Sequence, residues 1–420
     1  MARPLWILVA ALWGLGCGAG SAAPDGSVID GSDEAGVDVD AGADAGIDAN
    51  AWTCDPHPSP LPAPTSTVAN VVFDTPVPPP RYFGGSVEVF DVDDSFVLVG
   101  ESQLDVIDGQ GALVRTLPLT LPDSTGIYVT DLARGPAGLG AVVGVDTDTS
   151  RTDFCLLDVE TGLDASHCTA LMPTTDVMAH VVSLGADGYA VYAARNADVV
   201  RWRFDPAGVL QDEVTLWTDE LTSRFVLEAG EGPAGTVIVT SSAQCETYAH
   251  HWTPEVHDVT LLRPAELTYG GLSLLSEWSG DSSATRTWAK HMNCGGSGTG
   301  CEATSARPMT VLTKFDLGTG AVDVRPIALP LASEAAVIPD GDDTAIIYIW
   351  SLYDVRLSIF NHDGDAIVSE VKLPLSYEET GIEVQFVGAG RAVGPRDYVF
   401  VYAGTGDSGP DRRIARVQMP

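Results

Sequence analysis

Two short strands joined by a tight glycine-bearing hairpin recur along most of this 420-residue chain. The copies are Leu104–Leu117 (LDVIDGQGALVRTL), Cys155–Cys168 (CLLDVETGLDASHC), Val200–Val214 (VRWRFDPAGVLQDEV), Leu312–Pro326 (LTKFDLGTGAVDVRP) and Leu357–Val371 (LSIFNHDGDAIVSEV), with a weaker one at His250–Leu262 (HHWTPEVHDVTLL). The turn residues align as Gly111, Gly162, Gly208, Val256, Gly320 and Gly364, at spacings of 51, 46, 48, 64 and 44. An apolar run precedes each hairpin, as at Phe96–Gly100, Gly140–Val145, Tyr189–Ala194, Thr236–Ser241 and Ala345–Trp350. A softer, small-residue strand precedes that, as at Val87–Val92, His180–Gly185 and Phe225–Gly230. Short runs of Val, Ile, Tyr, Leu and Phe punctuated by Gly, Pro and Asp are strand signals. No window longer than about ten residues keeps the 3.6-residue period of a capped helix.

Four strands in a unit of about 48 residues is the blade of a β-propeller. The expected fold is therefore all-β. A seventh unit starts near Gly381, carries the apolar run Tyr398–Ala403, and ends at Pro420 before a fourth strand can form. Thr67–Phe73 precedes the first full unit without partners of its own and can supply that strand, closing the ring and removing its exposed edges. The spacing thus predicts seven four-stranded blades over residues 67–420, closed by an N-terminal strand; six or eight follow if the unit around 268–329 divides differently. The kelch-type glycine pair appears only as Phe83-Gly84-Gly85 and Tyr269-Gly270-Gly271, and no Trp-Asp dipeptide is present, so no named propeller family is assigned.

The chain starts with Arg3 and an apolar stretch from Leu5 to Gly16, too short to span a bilayer but suited to a secretory signal over residues 1–16. It ends in Gly14-Leu15-Gly16-Cys17, which resembles a bacterial lipobox; Gly16 fits, while Gly14 stands where Leu is usual. The resemblance implies lipidation of Cys17. Ordinary cleavage within Ala19–Ala23 is the alternative and would release a soluble secreted protein. Residues 17–66 hold nine acids between Asp25 and Asp55, and no Lys or Arg occurs between Arg3 and Arg81. Such an acidic Asp/Ala/Gly/Pro-rich segment reads as a disordered tether. Signal, lipobox and spacer together resemble lipoproteins of myxobacteria, which implies an exported protein anchored at the outer membrane, cell surface or periplasm.

Lys plus Arg is 22 against 58 for Asp plus Glu, a net charge of −36; from Asp55 onward the balance is 21 against 50, a net −29. A chain so acidic lacks the basic face that nucleic acid or anionic lipid requires.

Seven cysteines are an odd number for an exported protein, and lipidation of Cys17 leaves six to pair. Cys155 and Cys168 flank the Glu160–Leu163 turn symmetrically and are expected to pair across adjacent strands. Cys294 and Cys301 close the flexible loop CGGSGTGC, and Cys54 with Cys245 follows by elimination.

Candidate chemistry is sparse. Asp146, Asp148 and Asp153 space oxygen ligands as a calcium loop begins, but Arg151 stands where the loop's glycine belongs. Calcium is the only cofactor candidate. Gly406-Asp407-Ser408-Gly409-Pro410 lacks the second glycine of a protease nucleophile motif and reads as a turn. Gly295–Gly300 has neither the helix nor the lysine of a phosphate cradle. His250 and His251 are adjacent on a strand and so point to opposite faces, with His257 nearby. The dispersed tryptophans, Trp202, Trp217, Trp252, Trp278, Trp288 and Trp350, suit packing between blades, with a sugar-binding surface as the alternative. No catalytic residue is identified. The expected function is a non-catalytic binding module for a protein or glycan; a propeller hydrolase or lyase at the central funnel and a structural envelope component are the alternatives.

Overall fold

The computed structural model describes residues 63–65, 68–78 and most of 88–420, outside stretches of which 175–178, 219–224, 242–246, 264–273, 276–284, 294–307 and 328–334 are the longest. The described residues form seven four-stranded antiparallel sheets. After β1 (Asn70–Val77), the first sheet holds β2 (Glu88–Val92), β3 (Ser95–Gly100), β4 (Gln103–Asp108) and β5 (Leu113–Pro118). The second holds β6 (Gly126–Gly135), β7 (Gly138–Asp146), β8 (Arg151–Asp158) and β9 (Gly162–Met172). The third holds β10 (Ala179–Ser183), β11 (Tyr189–Arg195), β12 (Asp198–Phe204) and β13 (Leu210–Thr218). The fourth holds β14 (Phe225–Gly232), β15 (Gly235–Ser241), β16 (Thr247–Trp252) and β17 (His257–Arg263). The fifth holds β18 (Leu274–Leu275), β19 (Thr285–Asn293), β20 (Pro308–Asp316) and β21 (Val322–Ile327). The sixth holds β22 (Ala335–Asp340), β23 (Asp343–Ser351), β24 (Asp354–Phe360) and β25 (Ala366–Lys372). The seventh holds β26 (Ile382–Gly394), β27 (Asp397–Gly406) and β28 (Gly409–Gln418), and β1 completes it by pairing with β28. Six sheets have strands of five residues or more throughout; in the fifth, the first strand is reduced to Leu274–Leu275.

The recurrent hairpin joins the third and fourth strands of a sheet. Its glycines take positive φ, from +75° to +88° at Gly111, Gly162, Gly208 and Gly320, where a side chain would be strained. An acceptor side chain at the end of the third strand holds each turn. Asp108 Oδ1 accepts from the backbone N–H of Gln110 and Ala112, Asp205 Oδ1 from Ala207 and Val209, and Asp316 Oδ1 from Gly318 and Thr319. Asp158, Thr253 and Asn361 do the same in the second, fourth and sixth sheets. These side chains satisfy turn N–H groups that the ladder leaves open.

The apolar core is divided among the junctions between sheets. Val97, Val99, Leu104, Val143 and Leu157 pack the first sheet on the second; Val142, Phe154, Tyr189 and Trp202 pack the second on the third; Val182, Tyr192, Val226 and Ile238 pack the third on the fourth. Ile347, Leu357, Phe400 and Tyr402 pack the sixth on the seventh, and Phe96, Leu98, Val399 and Ile414 pack the seventh back on the first. Strands buried on both faces explain why the second strands read as continuous apolar runs rather than alternating ones.

Polar contacts cross the same junctions. Arg115 Nη1 bonds Glu160 at 2.7 Å, Tyr189 Oη donates to the carbonyl of Gly138 at 3.1 Å, and Trp252 Nε1 donates to that of Leu216 at 3.1 Å. The backbone N–H of Ala234 donates to Leu317 at 3.2 Å, Lys314 Nζ lies 3.4 Å from the carbonyl of Asp342, and Tyr398 Oη donates to Asp340 at 2.8 Å. Arg412 Nη2 lies 2.6 Å from Asp105 Oδ2, joining the seventh sheet to the first. The contacts therefore run once around the cycle of sheets and return to the start.

Ahead of β1, Thr65 lies against β25. Thr65 donates its N–H to the carbonyl of Ser369 at 2.8 Å and accepts the Ser369 N–H on Oγ1 at 3.0 Å. The chain ahead of β1 thus pairs with the outer edge of β25.

Candidate functional site

Strand direction alternates in each sheet, so connections from second to third strand and from fourth strand to the next sheet emerge at one end. At that end the strand bounds leave six to ten residues between one sheet and the next, and four, five and fourteen residues between the second and third strands of the second, fourth and fifth sheets, against two in the other four. The other end carries tight turns, none above five residues except 276–284. Variable, longer connections on a rigid scaffold are where binding residues concentrate.

The inner strands bring together three ionisable side chains from three successive sheets. His180 on β10 places Nδ1 3.3 Å from Asp131 Oδ2 on β6 and 3.9 Å from Glu228 Oε2 on β14. All three are largely buried, with side-chain exposures of 15%, 15% and 5%. They stand level with the middle of the second strands, opposite Tyr192, Val142 and Val239. Local register makes the meeting: β6 has a bulge between Val129 and Asp131, and β14 one between Val226 and Glu228. A bulge re-aims the side chain that follows it. Asp131 Oδ2 also accepts the N–H of Val181 at 2.6 Å, satisfying the edge of β10. Burial works against a charged imidazole here. The Asp131 and Glu228 carboxylates and a backbone bond to Val226 outweigh it, holding His180 above its ordinary value of 6.5. The result is an imidazole held between two carboxylates, which ties three inner strands together.

Cys155 and Cys168 face each other across β8 and β9 with Cα atoms 4.1 Å apart and are disulfide-bonded. Of the calcium candidates, Asp146 is exposed at the end of β7, and Asp148 lies outside the described residues. Asp153 does not face a cation: it is buried, and both its oxygens take the Arg151 Nε, at 2.9 and 3.0 Å. Arg151, which displaces the glycine of a calcium loop, thus occupies the carboxylate instead. Among the described residues no group of three His, Cys, Asp or Glu side chains is arranged to hold a metal. Cys17, Cys54, Cys245, Cys294 and Cys301 lie outside the described residues, as do Trp278, Asp407 and Ser408. Trp202, Trp217 and Trp252 pack at the third and fourth sheets. His250 and His251 point apart, His251 toward the carbonyl of Ala234 and His250 toward Thr240 and His257. The inner trio escaped the sequence, since its members lie at positions 131, 180 and 228 with no motif between them; inner-strand acids in successive units were the available signal.

No family model matches the chain, and no curated protein does. Among solved structures it is similar to the WD40 domain of Neurospora crassa Pan2, at 9% identity over 84% of this chain and 97% of that one, with a TM-score of 0.50. More distant likenesses are a chain of the mitotic checkpoint complex (10% identity, 92% and 99% covered, TM-score 0.47) and the N-terminal domain of Nup159 (11%, 86% and 98%, 0.44). Sheets and likeness together define the class: an all-β chain of propeller architecture with a WD40 neighbour.

Proposed function

We propose that this chain is an exported, lipid-anchored propeller of seven blades that binds a protein partner without chemistry of its own. A bias in connection length carries this reading: the links from sheet to sheet run to six to ten residues at one end, whereas all but one of the connections at the other end have five or fewer. Completion of the seventh sheet by β1, and the contact from that sheet to the first, support a ring that counts the fifth sheet as a blade. The packing of Trp202, Trp217 and Trp252 between sheets favours a protein over a glycan as the ligand. A net charge of −29 from Asp55 onward favours a partner with a basic face. Cys17 carries the lipid, and the acidic segment after it holds the domain away from the envelope surface, outer-membrane or periplasmic.

Replacing residues 295–300 by two glycines tests the binding face. Partner adducts formed in the native envelope fall while the thermal midpoint holds; a lower midpoint with unchanged adducts overturns the proposal. Cys17→Ser tests the anchor, because the unlipidated chain leaves the membrane fraction. A propeller hydrolase or lyase is the second function the geometry favours, through His180 beside Asp131 and Glu228. Turnover of any panel substrate that vanishes in His180→Gln, with the fold retained, would establish it.

A further inference from the structure

We propose that His250 and His257 form a two-imidazole site for a borderline divalent metal, Cu2+ above all, on the outer part of the fourth sheet. The register of β16 on β17 sets Trp252 opposite His257, so His250, two residues earlier on the same face, lies diagonally beside His257. Their ring nitrogens, His250 Nδ1 and His257 Nε2, are 3.1 Å apart. Two nitrogens bound at about 2.0–2.1 Å to one metal are about 2.9–3.4 Å apart for angles between right and tetrahedral. The pair therefore has the bite of two adjacent ligands without backbone movement.

Three further features prepare it. Thr240 Oγ1, on fully buried Thr240, is 2.8 Å from His250 Nε2. With that Nε2–H donated to the hydroxyl, His250 carries its lone pair on Nδ1, toward His257. A ligating histidine whose second nitrogen is held by an oxygen is the usual outer-shell arrangement. Trp217, from β13 of the third sheet, lies on both rings, with centroids 4.7 Å from His250 and 4.5 Å from His257. It restrains both rings. His257 is exposed, so a hydrated ion reaches it from solvent. On binding, the metal replaces the hydrogen shared by Nδ1 and Nε2, and His257 carries its proton on Nδ1. Two imidazoles leave coordination positions for water or for a donor from a bound partner. Imidazole ligands and the divalent affinity order favour Cu2+ over Ni2+ and Zn2+.

The test is a titration of the full chain with Cu2+ in excess Mg2+, which occupies surface carboxylates. Tryptophan fluorescence and the electron paramagnetic resonance of the copper are followed together. Saturable one-to-one quenching with hyperfine structure from two nitrogens is expected. His257→Ala, at an exposed position, raises the Kd at least tenfold, and Thr240→Val raises it by about 10–100-fold. His167→Ala, at another exposed histidine, leaves it unchanged. Wild-type affinity in His257→Ala, or a copper signal without two nitrogens, shows that the pair is only a hydrogen bond and overturns the proposal.

Discussion

Arg412 Nη2 stands 2.6 Å from Asp105 Oδ2, both side chains shut off from water, at a sequence separation of 307. Asp105 is also held by the Thr116 hydroxyl at 2.6 Å and Gln103 Nε2 at 3.0 Å. The pair links the third strands of the last and first sheets, where an open ring would part. Removing one member of a buried pair strands the other charge, at a cost of about 3–5 kcal/mol. Arg412→Met is thus expected to lower the unfolding free energy by that amount in urea denaturation. The double variant Arg412→Met/Asp105→Leu recovers most of the loss, because no charge is left stranded; equal losses in single and double variants would show that the ion pair is idle.

His180 makes stability depend on pH in a stated direction. Its folded value lies above the ordinary 6.5, so its contribution is complete below that value and is lost as pH rises through the folded value. Stability measured from pH 6 upward falls across that window in the wild type. In His180→Gln the slope attributable to this group disappears, and an unchanged slope would assign the dependence elsewhere.

The disulfide between Cys155 and Cys168 closes a short hairpin. Replacing both by Ala is expected to cost about 2–3 kcal/mol, chiefly by freeing the unfolded chain. Because the bond lies within one sheet, the other junctions keep their packing, and the loss appears as a lower denaturation midpoint.

Asp205 Oδ1 accepts two turn N–H groups, each at 2.9 Å. Asp205→Ala leaves them to water and is expected to cost about 1 kcal/mol, while Asp205→Asn, which keeps an acceptor oxygen, costs less. Asp316 behaves differently with pH. Bonds from Thr319 and Gly318 hold its carboxyl below the ordinary 3.8, so its contribution is present above that value and is lost as pH falls through the folded one.

The sequence disclosed most of the architecture because its signals were local. A glycine at Gly111 or Gly208 marks a backbone that only a positive φ can turn, and its recurrence sets the repeat. The run Thr67–Phe73 was legible as a strand without a partner nearby in sequence, and β1 takes its place in the seventh sheet. What stayed hidden depends on three-dimensional coincidence. Asp131, His180 and Glu228 meet only because bulges beside Asp131 and Glu228 shift the phase of two inner strands. His250 and His257 meet only through a diagonal register. The acid excess was opaque for a different reason: Asp108, Asp158, Asp205 and Asp316 are turn caps, and Asp105, Asp131 and Asp340 are junction contacts, so part of that charge is structural.

The claim that one end of the sheets is the binding face is tested most directly by site-specific photo-crosslinking in cells that produce the protein. A photoreactive residue is placed in turn at Ser242, Ser297 and Ser333, in the long connections, and at Ala112, Ala207 and Asp363, in the tight turns. Protein adducts of one size from the first set and none from the second are the predicted result. Adducts confined to the tight turns, or equal from both sets, would contradict the assignment of the face.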